Sequence, residues 1–254
     1  MIQIDRLYKQ FGTITAVNDL NLEIPKGEFF GFLGPNGAGK TTTIKILCGL
    51  LRPTSGRTIM GGDGMDRYDV ILQPQQAKAI TGYIPDSPHL YEKLTGYEYV
   101  HFVGGLYGVP AKKIDAHIEE YFSLFHLLDA AHSLIESYSH GMRQKVVMTG
   151  AFVHDPKVLV VDEPMVGLDP RSSRLVKDLL KKKSREGMTI FLSTHTLDIA
   201  EELCDRIGII LRGQLLTVGT MEELRKLAKE DASDLRLESV FLKLTEEQTQ
   251  ESIA

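Results

Sequence analysis

Two stretches of this chain hold residues whose types and spacing could do chemistry. KVLVVDEPMVGLDP, residues 157–170, runs four apolar residues, Val158 to Val161, into two adjacent acids, Asp162 and Glu163, with a third acid at Asp169. The apolar run predicts a buried strand. Two carboxylates at its end repel each other and lose hydration on burial, so they cost stability unless a cation or a proton-accepting role offsets it. The plain alternative is a strand that turns polar on reaching the surface. GPNGAGKT, residues 34–41, decides between the two. It fits G-x-x-x-x-G-K-[ST] and stands between strand-like FFGFL and helix-like TTTIKILCGL. In that context Gly34, Pro35, Asn36, Gly37, Ala38 and Gly39 form a backbone that wraps an anion, with amide N–H groups and the helix N-terminus aimed at phosphates. Lys40 reaches the β and γ phosphates, the Thr41 hydroxyl can ligate magnesium, and Thr42 completes the cradle. Asp162 then meets the Mg²⁺ that bridges the phosphates, and Glu163 is placed to accept a proton from an attacking water.

These residues need elements to hold them. The opening third reads as strands divided by turns: IQIDRLYK, LNLEI before the Pro25-Lys26-Gly27 turn, EFFGFLG and GRTIMGGD. After Gly39 the pattern becomes helical and ends near Pro53, and AITGYIP, 79–85, returns to strand. Between about 88 and 145 the spacing is helical, with Ile114, Ile118, Tyr121, Phe122 and Phe125 on one stripe, so an inserted helical subdomain is expected, its stripe a packing surface. Strand KVLVV, helix PRSSRLVKDLLKKK, strand MTIFLS, helix TLDIAEEL and strand RIGIIL follow, the alternation of a mainly parallel sheet. The expected class is α/β: a P-loop NTPase core with an N-terminal antiparallel β subdomain and the helical insert. One ATPase domain is expected over 1–230. An amphipathic C-terminal segment, with Leu237, Val240, Phe241 and Leu244, and a frayed end fill 231–254.

Bulk properties exclude other classes. The chain has 254 residues, 43% hydrophobic and 25% charged, which is ordinary globular usage and enough to bury a large core. Its formal net charge of -5 gives no basic footprint for nucleic acid, and Lys181 to Lys183 read as the cation-favouring end of a helix. Cys48 and Cys204 lie far apart, so neither a disulfide framework nor a zinc site is indicated, and a reducing cytoplasm fits. MIQIDRLYKQ lacks the apolar core of a signal peptide, and no apolar run approaches a membrane span, so the chain is expected to be soluble.

With these motifs in order, nearly the whole chain resembles the nucleotide-binding subunits of ATP-binding cassette (ABC) transporters. Val158 to Glu163 are similar to the family's Walker B strand and its terminal glutamate. Gly167-Leu168-Asp169-Pro170 resembles the D-loop, whose aspartate helps organise the dimer and the water. His195, in FLSTHT, resembles the switch histidine that contacts the γ phosphate, and Phe11, in KQFG, falls where the family places an adenine-stacking aromatic. Tyr138-Ser139-His140-Gly141-Met142 occupies the place of the LSGGQ signature. Ser139 and Gly141 are kept, while His140 and Met142 replace glycine and glutamine. Asp86, in ITGYIPDSP, stands where the Q-loop glutamine would be; a carboxylate there can meet magnesium or orient water, but adds negative charge beside ATP.

The resemblance implies ATP hydrolysis with Mg²⁺, coupled to transport. Two cassettes, as a homodimer or a heterodimer, would sandwich two ATP molecules, with Ser139 and Gly141 of each chain facing the γ phosphate held by the other. The membrane-spanning permease subunits would be separate polypeptides, the chain would lie on the cytoplasmic face of the membrane as a peripheral subunit, and GYIPDSPHLYEKLTGYE with LESVFLKL resembles bacterial exporter-type systems. The rival readings are a soluble ABC-type ATPase or an ATP-sensing module acting on a non-membrane partner. A GTPase is disfavoured because no Asn-Lys-x-Asp occurs around Asn18, Asn21 or Asn36.

Overall fold

Strands β1 (Ile2–Phe11) and β2 (Ile14–Ile24) form an antiparallel hairpin, closed at Gly12. The computed structural model describes residues 1–61, 67–227, 237–239 and 241–243. Strand β4 (Ser55–Gly61) pairs with the other side of β1 and carries the short β5 (Arg67–Asp69), giving the antiparallel sheet order β2-β1-β4-β5. Its buried face comes from alternate residues, Ile2 and Ile4 opposite Leu22 and Ile24. Register shifts after Ile4 and Leu7 break that alternation, and Arg6 and Asp19 take positive φ there. The first half of β2 is therefore unreadable as a strand by periodicity alone.

The second sheet is the core of the molecule. Its order is β10-β9-β3-β8-β7-β6, with β3 at Phe29–Leu33, β6 at Thr81–Ile84, β7 at Val158–Asp162, β8 at Thr189–Thr194, β9 at Arg206–Leu211 and β10 at Gln214–Gly219. All pairings are parallel except β10 with β9. Every residue of β3, β7 and β8 is buried, as expected of strands covered on both faces. Helix α1 (Lys40–Leu47) follows β3, and α2 (Pro74–Ala79) precedes β6. Helix α6 (Pro170–Arg185) links β7 to β8, and α7 (Leu197–Leu203) links β8 to β9. Helix α1 stops earlier than its apolar pattern suggests, because Gly49 takes a left-handed φ of 63° just past Cys48. Lys182 and Lys183, with Arg185, lie in the last turn of α6, where cations favour the helix dipole; Lys181 falls just before it.

Three helices stand to one side: α3 (Gly96–Leu106), α4 (Ala111–Phe125) and α5 (His140–Phe152). Thr95 and Glu98 form a reciprocal capping box that starts α3. The stripe Ile114, Ile118, Tyr121, Phe122 and Phe125 is buried against α5 and its neighbours, with Tyr121 stacked on Phe152 at 5.3 Å, so packing is its whole purpose. Helix α5 runs past 145 and its Val146 and Phe152 join Leu159, Val161 and Leu192 of the sheet in one apolar cluster. Helix α8 (Met221–Leu227) and Leu237 close the far edge over Ile207 and Ile209. Val240, Leu244 and residues 245–254, read above as part of an amphipathic segment and a frayed end, lie outside the described residues.

Candidate functional site

In a parallel sheet the loops after the strands gather at the carboxyl edge, and that is where the chemistry-bearing side chains meet. Lys40 follows β3, Asp86 follows β6, Glu163 follows β7 and His195 follows β8. Pro35, Asn36, Gly37 and residues 39–42 line a small cavity with Ala16 from β2. Gly39 shows why this loop needs glycine: its φ is 108°, and a Cβ there would lie 2.4 Å from the Ala16 carbonyl oxygen. The Lys40 side chain is folded back into the loop, its Nζ donating to the Gly34 carbonyl at 2.5 Å and to that of Pro35 at 3.1 Å. Only 8% of it is exposed. Burial pulls its pKa down, against the opposing pull of Glu163 and Asp162.

Glu163 has left the sheet with φ at 46°, a conformation that costs energy in a residue with a side chain. Its carboxylate is fixed by three bonds from the end of the neighbouring strand. The His195 amide donates to Oε1 at 2.7 Å, the His195 ring meets the same oxygen through Nδ1 at 2.6 Å, and the Thr194 hydroxyl donates to Oε2 at 2.9 Å. With Glu163 ionised, the ring proton sits on Nδ1. Thr194 went unnoticed in the sequence; its place directly before His195 in FLSTHT was the available sign. Asp162 is 5% exposed, and burial raises its pKa; the Ser193 hydroxyl beside it opposes that, and the charges of Asp86 and Glu163 add to it. The paired acids therefore divide into a buried group held against its ionisation and a positioned group at the rim.

Asp86 and Asp162 line one cleft of about 640 Å³ with Thr41, Tyr99, Tyr107 and His154. His154 stacks on Tyr107 at 3.7 Å, and burial holds its pKa down to about 4, so its ring is neutral near pH 7. Neither Tyr99 of α3, nor Tyr107 just past its end, nor His154 was singled out by sequence, because each reads as ordinary core spacing. Gln144 of α5, buried, donates to the Pro85 carbonyl at 3.4 Å and ties this helix to the Asp86 loop. Ser139 caps α5, its hydroxyl accepting from the Met142 amide at 3.3 Å, and both Ser139 and His140 are exposed. Asp169 caps α6 through the Arg171 and Ser172 amides, both at 3.0 Å. Phe11 stands at the hairpin tip with 46% of its surface exposed and the Lys9 ammonium 4.7 Å above its ring, which excludes a core role. Ser139 and Gly141 lie on the helical side, away from the Lys40 loop in sequence and on a different element.

Known proteins resemble this chain in sequence and fold. The family profile described as ABC transporter matches residues 17–166. The linearmycin resistance ATP-binding protein of Bacillus subtilis (strain 168) is 37% identical over 227 residues, 88% of this chain and 70% of that protein. A probable multidrug ABC transporter ATP-binding protein of Escherichia coli (strain K12) is 34% identical over 245 residues, 96% of this chain and 41% of its own length. A solved structure of the ATP binding subunit of an ABC transporter superposes with a TM-score of 0.88 at 29% identity, covering 96% of this chain and 99% of the other. The chain belongs to the ABC transporter family. It is an ATP-binding, ATP-hydrolysing cassette with the P-loop NTPase fold.

Proposed function

We propose that this chain powers export by a membrane partner, with Glu163 as the base for ATP hydrolysis. The observation that carries this reading is the triple anchoring of the Glu163 carboxylate by Thr194 and His195 at the sheet edge that also holds Lys40. An acid aligned by neighbouring groups can take the proton of an attacking water at its carboxylate oxygen. The exposed ring of His195 is left to meet the γ phosphate. Lys40 exchanges two carbonyl partners for phosphate oxygens, the amides of 34–42 take the rest of the charge, and Phe11 offers its open face to the base.

The Thr41 hydroxyl and the carboxylates of Asp162 and Asp86 make an all-oxygen donor set, the kind that suits Mg²⁺, and they line a single cleft. A buried carboxylate disfavoured in its charged form also gains from a cation. Held by these three groups, Mg²⁺ would supply positive charge that offsets the negative charge of phosphoryl transfer.

Ser139, exposed at the amino end of α5, and the half-buried Gly141 face the γ phosphate held by a second cassette chain, a copy of this one or a related one. No described helix is long and apolar enough to cross a membrane. In this reading separately encoded permease subunits supply the membrane path, and the cassette binds them peripherally at the cytoplasmic face. Residues 1–230 form the ATPase domain, with the helical insert at about 88–145. The names of two relatives, one a resistance protein and one a probable multidrug transporter component, support the export direction.

The test is a calorimetric titration of the Lys40→Ala variant with Mg-ATP. Loss of a buried charged hydrogen-bonding group should weaken binding about 10- to 150-fold, from ~1.5–3 kcal/mol. Unchanged affinity would remove the cradle role given to residues 34–42.

A further inference from the structure

The loop from Glu163 to Asp169 is fixed at both ends. Glu163 donates its amide to the Ser193 carbonyl at 3.0 Å, and Asp169 caps α6. Between them the chain folds through two turn bonds, Val166 N–H to the Glu163 carbonyl and Leu168 N–H to that of Met165, both 3.2 Å. The middle of this loop is touched from outside by the amino end of α5. Gly167 has a φ of 75°, and a Cβ built on it would lie 2.2 Å from Cδ2 and 2.7 Å from Nε2 of His140. The imidazole therefore rests directly on a bare Cα. The neighbouring Gly141 approaches the same segment more loosely: its Cβ would be 3.6 Å from the Gly167 oxygen and from Leu168 Cδ2.

We propose that His140 is a positioning residue for Glu163: its ring, seated on Gly167, makes the amino end of α5 and the loop after Glu163 move as one piece. The proposal rests on the reading that this end of α5 faces the nucleotide of a second cassette chain. A displacement of α5 presses on Gly167, and the two turn bonds carry it to a residue already held at a strained φ. Occupancy of the partner's site is thereby felt by the base of this one. A glycine at 140, as the family signature has, could make no such contact. The effect needs only the shape of the ring, since Gly167 offers Cδ2 and Nε2 nothing but van der Waals contact.

Shape and chemistry are separable by substitution. Phosphate release by the purified full chain and Mg-ATP affinity by calorimetry are measured for His140→Gly, His140→Phe and Gly167→Ala, and for Gly167→Ala combined with His140→Gly. Losing the wedge should lower kcat by about tenfold, within the range that small misplacements of reacting groups produce, and leave ATP affinity unchanged. His140→Phe, which keeps a flat ring without nitrogens, should turn over near the parent rate. Gly167→Ala should cost far more with His140 in place than with Gly at 140, because only the former meets the added methyl group. Equal cost in both backgrounds overturns the proposal. So does a His140→Phe variant as impaired as His140→Gly with weakened ATP binding, which would place the imidazole on the nucleotide itself. Should Gly167→Ala fail to fold, the comparison of His140→Gly with His140→Phe decides. The two-chain reading is tested apart from this, by sedimentation of Glu163→Gln with Mg-ATP, with and without Ser139→Arg. If Ser139→Arg leaves ATP-driven pairing intact, the sandwich falls, while the Gly167 cycle still reports whether His140 positions Glu163.

Discussion

Replacing Glu163 by glutamine separates holding from chemistry, because the surroundings can keep the amide in place. The Glu163→Gln side chain can put its carbonyl where Oε1 accepts from the His195 amide and ring, at 2.7 and 2.6 Å. Its NH₂ then faces the Thr194 hydroxyl, 2.9 Å away, which can turn to accept. The shape of the site survives, and the basic carboxylate does not. A general base contributes about 100- to 10,000-fold, ~3–5 kcal/mol of barrier, so kcat should fall by that range. Lys40, Thr41 and Asp162 are untouched, so Mg-ATP affinity should stay near that of the parent. Single-turnover and steady-state phosphate release, with calorimetry on the same preparation, give both numbers. Turnover within a few-fold of the parent would refute the role assigned to Glu163, and with it the account of why β7 ends on two acids.

Asp162→Asn should stabilise the nucleotide-free fold by about 0.5–2 kcal/mol while impairing Mg-ATP binding, a trade common at functional sites. The sign follows from the raised pKa: both states are protonated below the ordinary value near 3.8, so the parent loses stability as pH rises from there through its higher folded value. The gap between variant and parent in denaturant unfolding should thus be small near pH 4 and open by pH 7; a gap of the opposite sign at pH 7 counts against burial as the main cause. Asp86→Ala should depress transport in vesicles reconstituted with the permease more than it depresses basal hydrolysis by the cassette alone. Normal transport by that variant would make Asp86 a solvated loop residue.

The parts legible from sequence were those where one requirement dominates. Val158 to Val161 must be apolar because β7 is covered on both faces, and the Gly39 backbone admits no Cβ, so each left an unambiguous mark. The strand β9 matched its apolar run from Arg206 to Leu211 for the same reason. Strand β10 was missed because an antiparallel edge is half-buried and shows no clean pattern, and α2 because six residues of PQQAKA hold too little apolar periodicity. The contact of His140 with Gly167 joins residues far apart in the chain, and nothing local to either of them announces it.

The sheet is also a ruler. From β3 through β8 and β7 to β6 there are three interstrand steps of about 4.8 Å, so the four chemical loops are dealt out along about 15 Å in strand order. Their alignment is set by register: Leu33 sits beside Thr194, Asp162 beside Ser193, and Ile84 beside Val161. Sliding one strand by a single residue would shift its group by about 3.3 Å and turn it to the opposite face. The buried apolar side chains of β7 and β8 that fix this registry are therefore calibration marks. A cavity opened at Leu159 or Phe191 should be read out first as misaligned catalysis, before the fold itself gives way.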